Sequence, residues 1–222
     1  MASFGRIVER GYVRRLAAEA HDTVDMFSSH RMGERERRAA AAFLRCLGVD
    51  FSPDELVTPE GDPPDIIFRD ARFELMIMLD DGRKMHADWK EKANQRSAAH
   101  FLDNLIESYH PSVPIPLGDV VSVVIARLGK KVSHYGSITC SQLDALVYIN
   151  FLGRHLYPLS EAHVPRELQA QGWRSVSFFF APYSHVLSVT PDAPTFLRRI
   201  EGRMRQECQN PDVWFSLRSG AI

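Results

Sequence analysis

Two carboxylates stand out in the run PPDIIFRDARFELMI, residues 63–77. Asp65 opens one apolar run, and Glu74 lies inside the next, beyond Arg69-Asp70-Ala71-Arg72. Glu is disfavoured in strand interiors, and its burial is expensive unless it is paired or bound to a cation. If residues 65–68 and 73–79 pair as the two strands of a hairpin, the carboxylates stand side by side. Two converging carboxylates are the minimal oxygen cage for Mg2+ (or Mn2+), which keeps waters in its remaining positions. Such an ion activates water and holds a phosphoryl oxygen, which is the chemistry of metal-dependent phosphodiester hydrolysis. A third acid from the preceding helix, Glu34 or Glu36, would complete the cage. Plainer roles suit the same residues: Asp65 as a turn cap after two prolines, Glu74 as the partner of Arg69 or Arg72.

These residues need elements to position them. Apolar residues recur at helical spacing over 6–27, and again over 34–47, where Gly48 follows as a C-cap. Residues 52–64, with four prolines, read as a connector. The hairpin strands 65–68 and 73–79 come next. A long helix or helix pair is expected over 83–109 and a further helix over 118–133. LDALVYINFL (143–152) is nearly all apolar and fits a strand buried on both faces. Residues 173–182 and 184–190 read as two more strands, and Asp192-Ala193-Pro194 opens a terminal helix to about Cys208. The pattern predicts an α/β or α+β fold, a mixed sheet with helices on its faces.

Composition narrows the function classes. The 222 residues carry 25% charged residues and a formal net charge of −1, so no overall basic bias advertises a polyanion partner. The distribution is uneven. Residues 50–81 hold ten acids against Arg69 and Arg72, whereas residues 1–45 hold nine Arg against six acids. An acidic centre between basic flanks fits a cation site beside a phosphate track, and equally a solvated acidic loop. Arg35 and Arg38 on the second helix and Lys90 and Lys92 on the next are candidate phosphate contacts. Three cysteines without a CxxC pair and nine histidines without HxH or HxxxH spacing offer neither a zinc site nor a disulfide framework. No GxGxxG, GxxxxGK[ST] or GxSxG motif occurs. Neither a signal-peptide h-region nor a 20-residue apolar run occurs, so a cytoplasmic location without membrane contact is expected.

Helix with Glu, strand with Pro-Asp, hairpin and strand with Glu together resemble the PD-(D/E)xK nuclease superfamily. More closely, GERERRAAAAFL, PPDIIFRDARFELMIMLDDGRK, LDALVYINF, GWRSVSF and PDAPTFLR resemble one bacterial family of unknown function that carries an endonuclease label. The resemblance implies a restriction-endonuclease-like αβββαβ core over residues 31–210. Residues 1–30 would be a helical extension and 211–222 a tail. It also implies Mg2+ (or Mn2+) as cofactor, nucleic acid, DNA first, as partner, and a homodimer where both strands are cut. Carried over, Asp65 and Glu74 match the motif acids, and Glu34, or Glu36, the helical Glu. Met76 stands where the motif lysine is due; Lys84, Lys90 or Lys92 is then the candidate replacement, with Lys84 nearest in sequence. Met76 equally favours a non-catalytic protein of the same fold that binds nucleic acid or a protein partner. An unrelated interaction module is the third reading.

Overall fold

The strand FELMIML is the keel of the molecule. In the computed structural model, which describes residues 2–105, 111–151, 154–157, 166–180 and 183–206, it belongs to a strand spanning Ala71–Leu79. The elements run α1 (Ala2–Met26), α2 (Met32–Cys46), β1 (Leu56–Val57), β2 (Ile66–Phe68), β3 (Ala71–Leu79), α3 (Met85–Ala98), β4 (Val113–Pro116), α4 (Leu117–Tyr135) and α5 (Ser137–Cys140). Then follow β5 (Asp144–Asn150), β6 (Arg154–Tyr157), α6 (Arg166–Ala170), β7 (Ser175–Phe180), β8 (Tyr183–Val189), α7 (Thr195–Arg198) and β9 (Met204–Gln206).

Seven strands form one mixed sheet in the order β1-β2-β3-β5-β7-β8-β9. The central pairs β3–β5 and β5–β7 are parallel; the outer pairs are antiparallel. All seven residues of β5 are buried, as its unbroken apolar run requires of a strand covered on both faces. The fold is thus mixed α/β, with helices on the sheet.

Strand alternation sorts β3 between two cores. Phe73, Leu75 and Ile77 pack with α2, where four consecutive alanines, Ala39–Ala42, bring the helix close and Phe43 meets Phe73 edge-on at 5.9 Å. Met76 and Met78 pack with Val120, Val121, Val124 and Leu128 of α4 on the other face. Burying each of these side chains contributes roughly 1.5–3 kcal/mol. Helix α2 ends as its glycine predicts. Gly48 adopts φ +70°, its N–H bonds to Arg45 O at 2.9 Å, and the Val49 N–H reaches Leu44 O at 3.0 Å.

Helix α1 lies against α3, where Phe27 and Trp89 stack at 6.4 Å. Arg35 ties α1 to α2 by donating to Met26 O at 2.9 Å and Ser28 O at 2.6 Å. Beyond Ala98 the long helix expected over 83–109 gives way to a short 3-10 turn, Leu102–Leu105, and its last residues lie outside the described ones.

The terminal helix differs from expectation. It stops at Arg198, because Gly202 (φ +70°) turns the chain back, its N–H bonding to Val186 O at 2.8 Å. The chain then pairs with β8 as β9. Cys208 and the tail 211–222 lie outside the described residues. A second, two-stranded sheet, β4–β6, lies outside the sequence expectations; the two prolines in VPIP withhold ladder donors, which suits a short edge pairing. No helix among the described residues is long and apolar enough to cross a membrane.

Candidate metal centre

The hairpin register sets the site. Ile66 pairs with Phe73, and one step outward the Asp65 N–H donates to Phe73 O at 3.0 Å. Asp65 therefore faces Glu74 across the β2–β3 ladder. Its Oδ2 accepts the Leu75 N–H at 2.7 Å. Burial, with the Glu74 charge added, pushes the Asp65 carboxyl up to about 7; the Leu75 N–H and Lys131 offset only part of this.

Glu74 is 2% exposed, on the face of β3 that looks toward α4. Two residues one helical turn apart on α4 converge on its Oε1. Lys131 Nζ forms a close ion pair with it, and the Tyr135 hydroxyl donates to it at 3.0 Å. Lys131 also lies 5.6 Å from the centre of the Tyr135 ring. Burial, reinforced by the Glu74 charge, raises the Tyr135 phenol, so it remains a donor at every physiological pH. Glu74 Oε2 is buried and has no hydrogen-bond partner among the described residues.

One carboxylate oxygen from each of Asp62, Asp65 and Glu74 lies within 4.8 Å of the others. Glu36, on α2, adds its field. Burial raises its carboxyl, and the charges of Glu74 and Asp62 raise it further against Arg35 and Lys131. The donor set is all hard oxygen, it gathers more negative charge than Lys131 offsets, and the buried Oε2 of Glu74 is unpaired among the described residues. These properties fit Mg2+ or Mn2+ rather than a soft-metal site.

The other sequence candidates sit elsewhere. Glu34 bonds Arg31 and Arg38, each at 2.6 Å, and these cations outweigh its burial and hold its carboxyl below the ordinary range. Arg38 is engaged in that pair, and Arg35 holds the α1–α2 junction. Lys84 is the N-cap of α3, past the far end of β3, about 17 Å of strand from Glu74. Lys90 is exposed on α3, and Lys92 lies over the Trp89 ring at 5.7 Å. Arg69 pairs with Glu55 at 2.8 Å rather than with Glu74. Met76 lies on the Glu74 face, packed against the α4 core.

Lys131 is the residue that sequence reasoning missed. A signal for it existed. The buried positions Leu117, Val121, Val124 and Leu128 continue at helical spacing to Lys131 and Tyr135. A lysine on an apolar stripe needs a partner, and Glu74 is the anion the fold presents to it.

Comparisons bear on this arrangement. No protein of curated function matches the chain. A solved structure of a protein of unknown function from Pseudomonas aeruginosa strain PAO1, PA4535, described as of the monooxygenase superfamily, is similar with a TM-score of 0.63. It is 25% identical over 93% of this chain and 99% of its own. Residues 8–209 match the profile of a family described as "Putative endonuclease, protein of unknown function (DUF1780)", a span that takes in most of α1 as well as the sheet. With nearly the whole described fold inside that match, the chain belongs to the DUF1780 family.

Proposed function

We propose that this protein is a divalent-metal-dependent nuclease that hydrolyses phosphodiester bonds in nucleic acid, duplex DNA in the first instance. Asp62, Asp65 and Glu74 would hold the ion, with Glu36 adding charge from α2, and Lys131 would take the place of the lysine absent at Met76. The observation that carries this reading is the division of labour on Glu74: Lys131 and Tyr135 occupy Oε1, Oε2 is left buried and unpaired, and a carboxylate oxygen of Glu74 lies within 4.8 Å of one from each of Asp62 and Asp65. With α3, β4 and α5 set aside, the elements α2-β1-β2-β3-α4-β5 follow the order of the αβββαβ core that the sequence resembles, which supports the reading.

When bound, Mg2+ or Mn2+ supplies a Lewis acid for a phosphoryl oxygen and for water. The chain's own residues do the rest. Burial and the Glu74 charge push the Asp65 carboxyl up to about 7, and a divalent cation held beside it would favour the ionised form. Lys131, 28% exposed in its side chain, keeps its ammonium beside the carboxylates, where it offsets charge that develops on the attacked phosphate. Arg37 on α2 and Lys130 on α4 are exposed on the helices that supply Glu36 and Lys131, and they are the proposed backbone contacts. The monooxygenase wording belongs to the similar protein; three carboxylates and a lysine support phosphoryl chemistry here.

The test is a cleavage assay on labelled duplex and single-stranded DNA and RNA with Mg2+ or Mn2+. Asp65→Asn and Glu74→Gln should each lower cleavage at least about 100-fold, with substrate binding by fluorescence anisotropy nearly unchanged. Full cleavage by either variant overturns the assignment.

A further inference from the structure

We propose that Tyr135 is a positioning residue that, together with Lys131, restricts Glu74 to a one-oxygen ligand and so makes the centre prefer Mg2+ to Ca2+. The inference rests on the metal-centre reading above and deepens it. A carboxylate can offer one oxygen or both. Ca2+ takes 6–8 oxygens at 2.3–2.6 Å and readily uses both oxygens of one carboxylate, whereas Mg2+ demands octahedral geometry at 2.0–2.1 Å with singly bound carboxylates and waters. Here Oε1 already accepts two donors, the Lys131 ammonium and the Tyr135 hydroxyl at 3.0 Å. To bind through both oxygens, Glu74 would have to give up two charge-assisted hydrogen bonds inside a buried site, and each is of the stronger kind. Only Oε2 remains available.

Tyr135 is well placed to impose this. It sits in the last turn of α4, whose end is fixed by Gly136 at φ +84° with its N–H on Val132 O at 2.9 Å. Its ring packs on the α4 core and beside the His134 ring, with centroids 5.0 Å apart, so the hydroxyl is aimed by packing rather than by a flexible stem. Lys131 alone, on a four-carbon stem, can follow a rotating carboxylate; the tyrosine cannot.

Tyr135→Phe keeps the ring and removes only the hydroxyl. Mg2+ and Ca2+ are titrated separately by calorimetry into the full-length wild type and this variant. Infrared spectra of each loaded protein report one- or two-oxygen coordination through the carboxylate stretching frequencies. The wild type should bind Mg2+ more tightly and show a one-oxygen signature. Tyr135→Phe should shift the Ca2+/Mg2+ affinity ratio toward Ca2+ at least about tenfold, with a two-oxygen signature in Ca2+. An unchanged ratio with binding intact overturns the role of Tyr135 and leaves the metal centre standing. Absence of divalent binding by the wild type overturns both. A two-oxygen signature in the Mg2+-loaded wild type overturns the proposal without recourse to any variant.

Discussion

Substituting Asp65 by Asn should make the metal-free protein more stable and abolish its response to metal. In the folded chain the Asp65 carboxyl is pushed up to about 7 from an ordinary 3.8, first by burial and then by Glu74. The folded value lies above the unfolded one. The protonated carboxyl is therefore the well-accommodated form, and its contribution is complete below pH 3.8, is lost as pH rises to about 7, and stays lost above. At 1.36 kcal/mol per pH unit the gap amounts to about 4 kcal/mol, an upper figure that local relaxation and solvent reduce to about 2–4 kcal/mol. Asn carries no charge, and its side-chain oxygen still accepts the Leu75 N–H. In EDTA at pH 8, Asp65→Asn should raise Tm by about 5–15 °C. At pH 4.5 the difference should shrink below about 1 kcal/mol. Added Mg2+ at a hundred times its Kd stabilises the wild type by about 2.7 kcal/mol and the variant hardly at all, so the gap closes or reverses. Scanning calorimetry across pH, with and without Mg2+, reads all three. A variant less stable than wild type in EDTA at pH 8, or one that gains as much from Mg2+, refutes the reasoning.

Asp144, 0% exposed at the start of β5, accepts from Arg72 N–H at 2.9 Å, from Ser175 Oγ at 2.7 Å and from Arg174. Asp144→Asn strips Arg174 of its buried counter-ion and should cost about 3–5 kcal/mol in urea unfolding, with metal affinity unchanged; a loss under 1 kcal/mol contradicts a structural role. Glu36→Gln removes a charge that reaches the cluster without being one of the three converging carboxylates. It should weaken Mg2+ binding about tenfold in calorimetry rather than abolish it; complete loss would make Glu36 a direct ligand.

What was legible in the sequence was local. Asp65 and Glu74 were readable as neighbours because two apolar runs flank a four-residue polar stretch, and alternation then placed Met76 on the Glu74 face. The hairpin has that register. LDALVYINFL was readable as a doubly covered strand because nothing in it is polar enough to face water. Lys131 was not found, because it acts across 57 residues of chain, and a lone helix lysine is ordinarily solvated. The choice between Glu34 and Glu36 was open for a related reason. Both fall in the first turns of α2, and only the tertiary fold brings the charge of Glu36 within reach of Glu74 and Asp62 while Arg31 and Arg38 claim Glu34. The terminal helix was overextended because its start signal at Asp192-Ala193-Pro194 is strong, whereas its end depends on a long-range bond from Gly202 to β8.

The most direct test moves the lysine. Single-turnover cleavage is measured for the wild type, for Lys131→Met and for Lys131→Met/Met76→Lys, each in saturating Mg2+ with folding verified by circular dichroism. Met76 lies on the Glu74 face, so a lysine there takes the strand position that the motif lysine holds in the PD-(D/E)xK superfamily the sequence resembles. Lys131→Met should lose at least about 100-fold in rate, and the double variant should recover at least tenfold of that. Wild-type cleavage by Lys131→Met, or no cleavage by the wild type with either Mg2+ or Mn2+, contradicts the assignment of Lys131 and of the centre it serves.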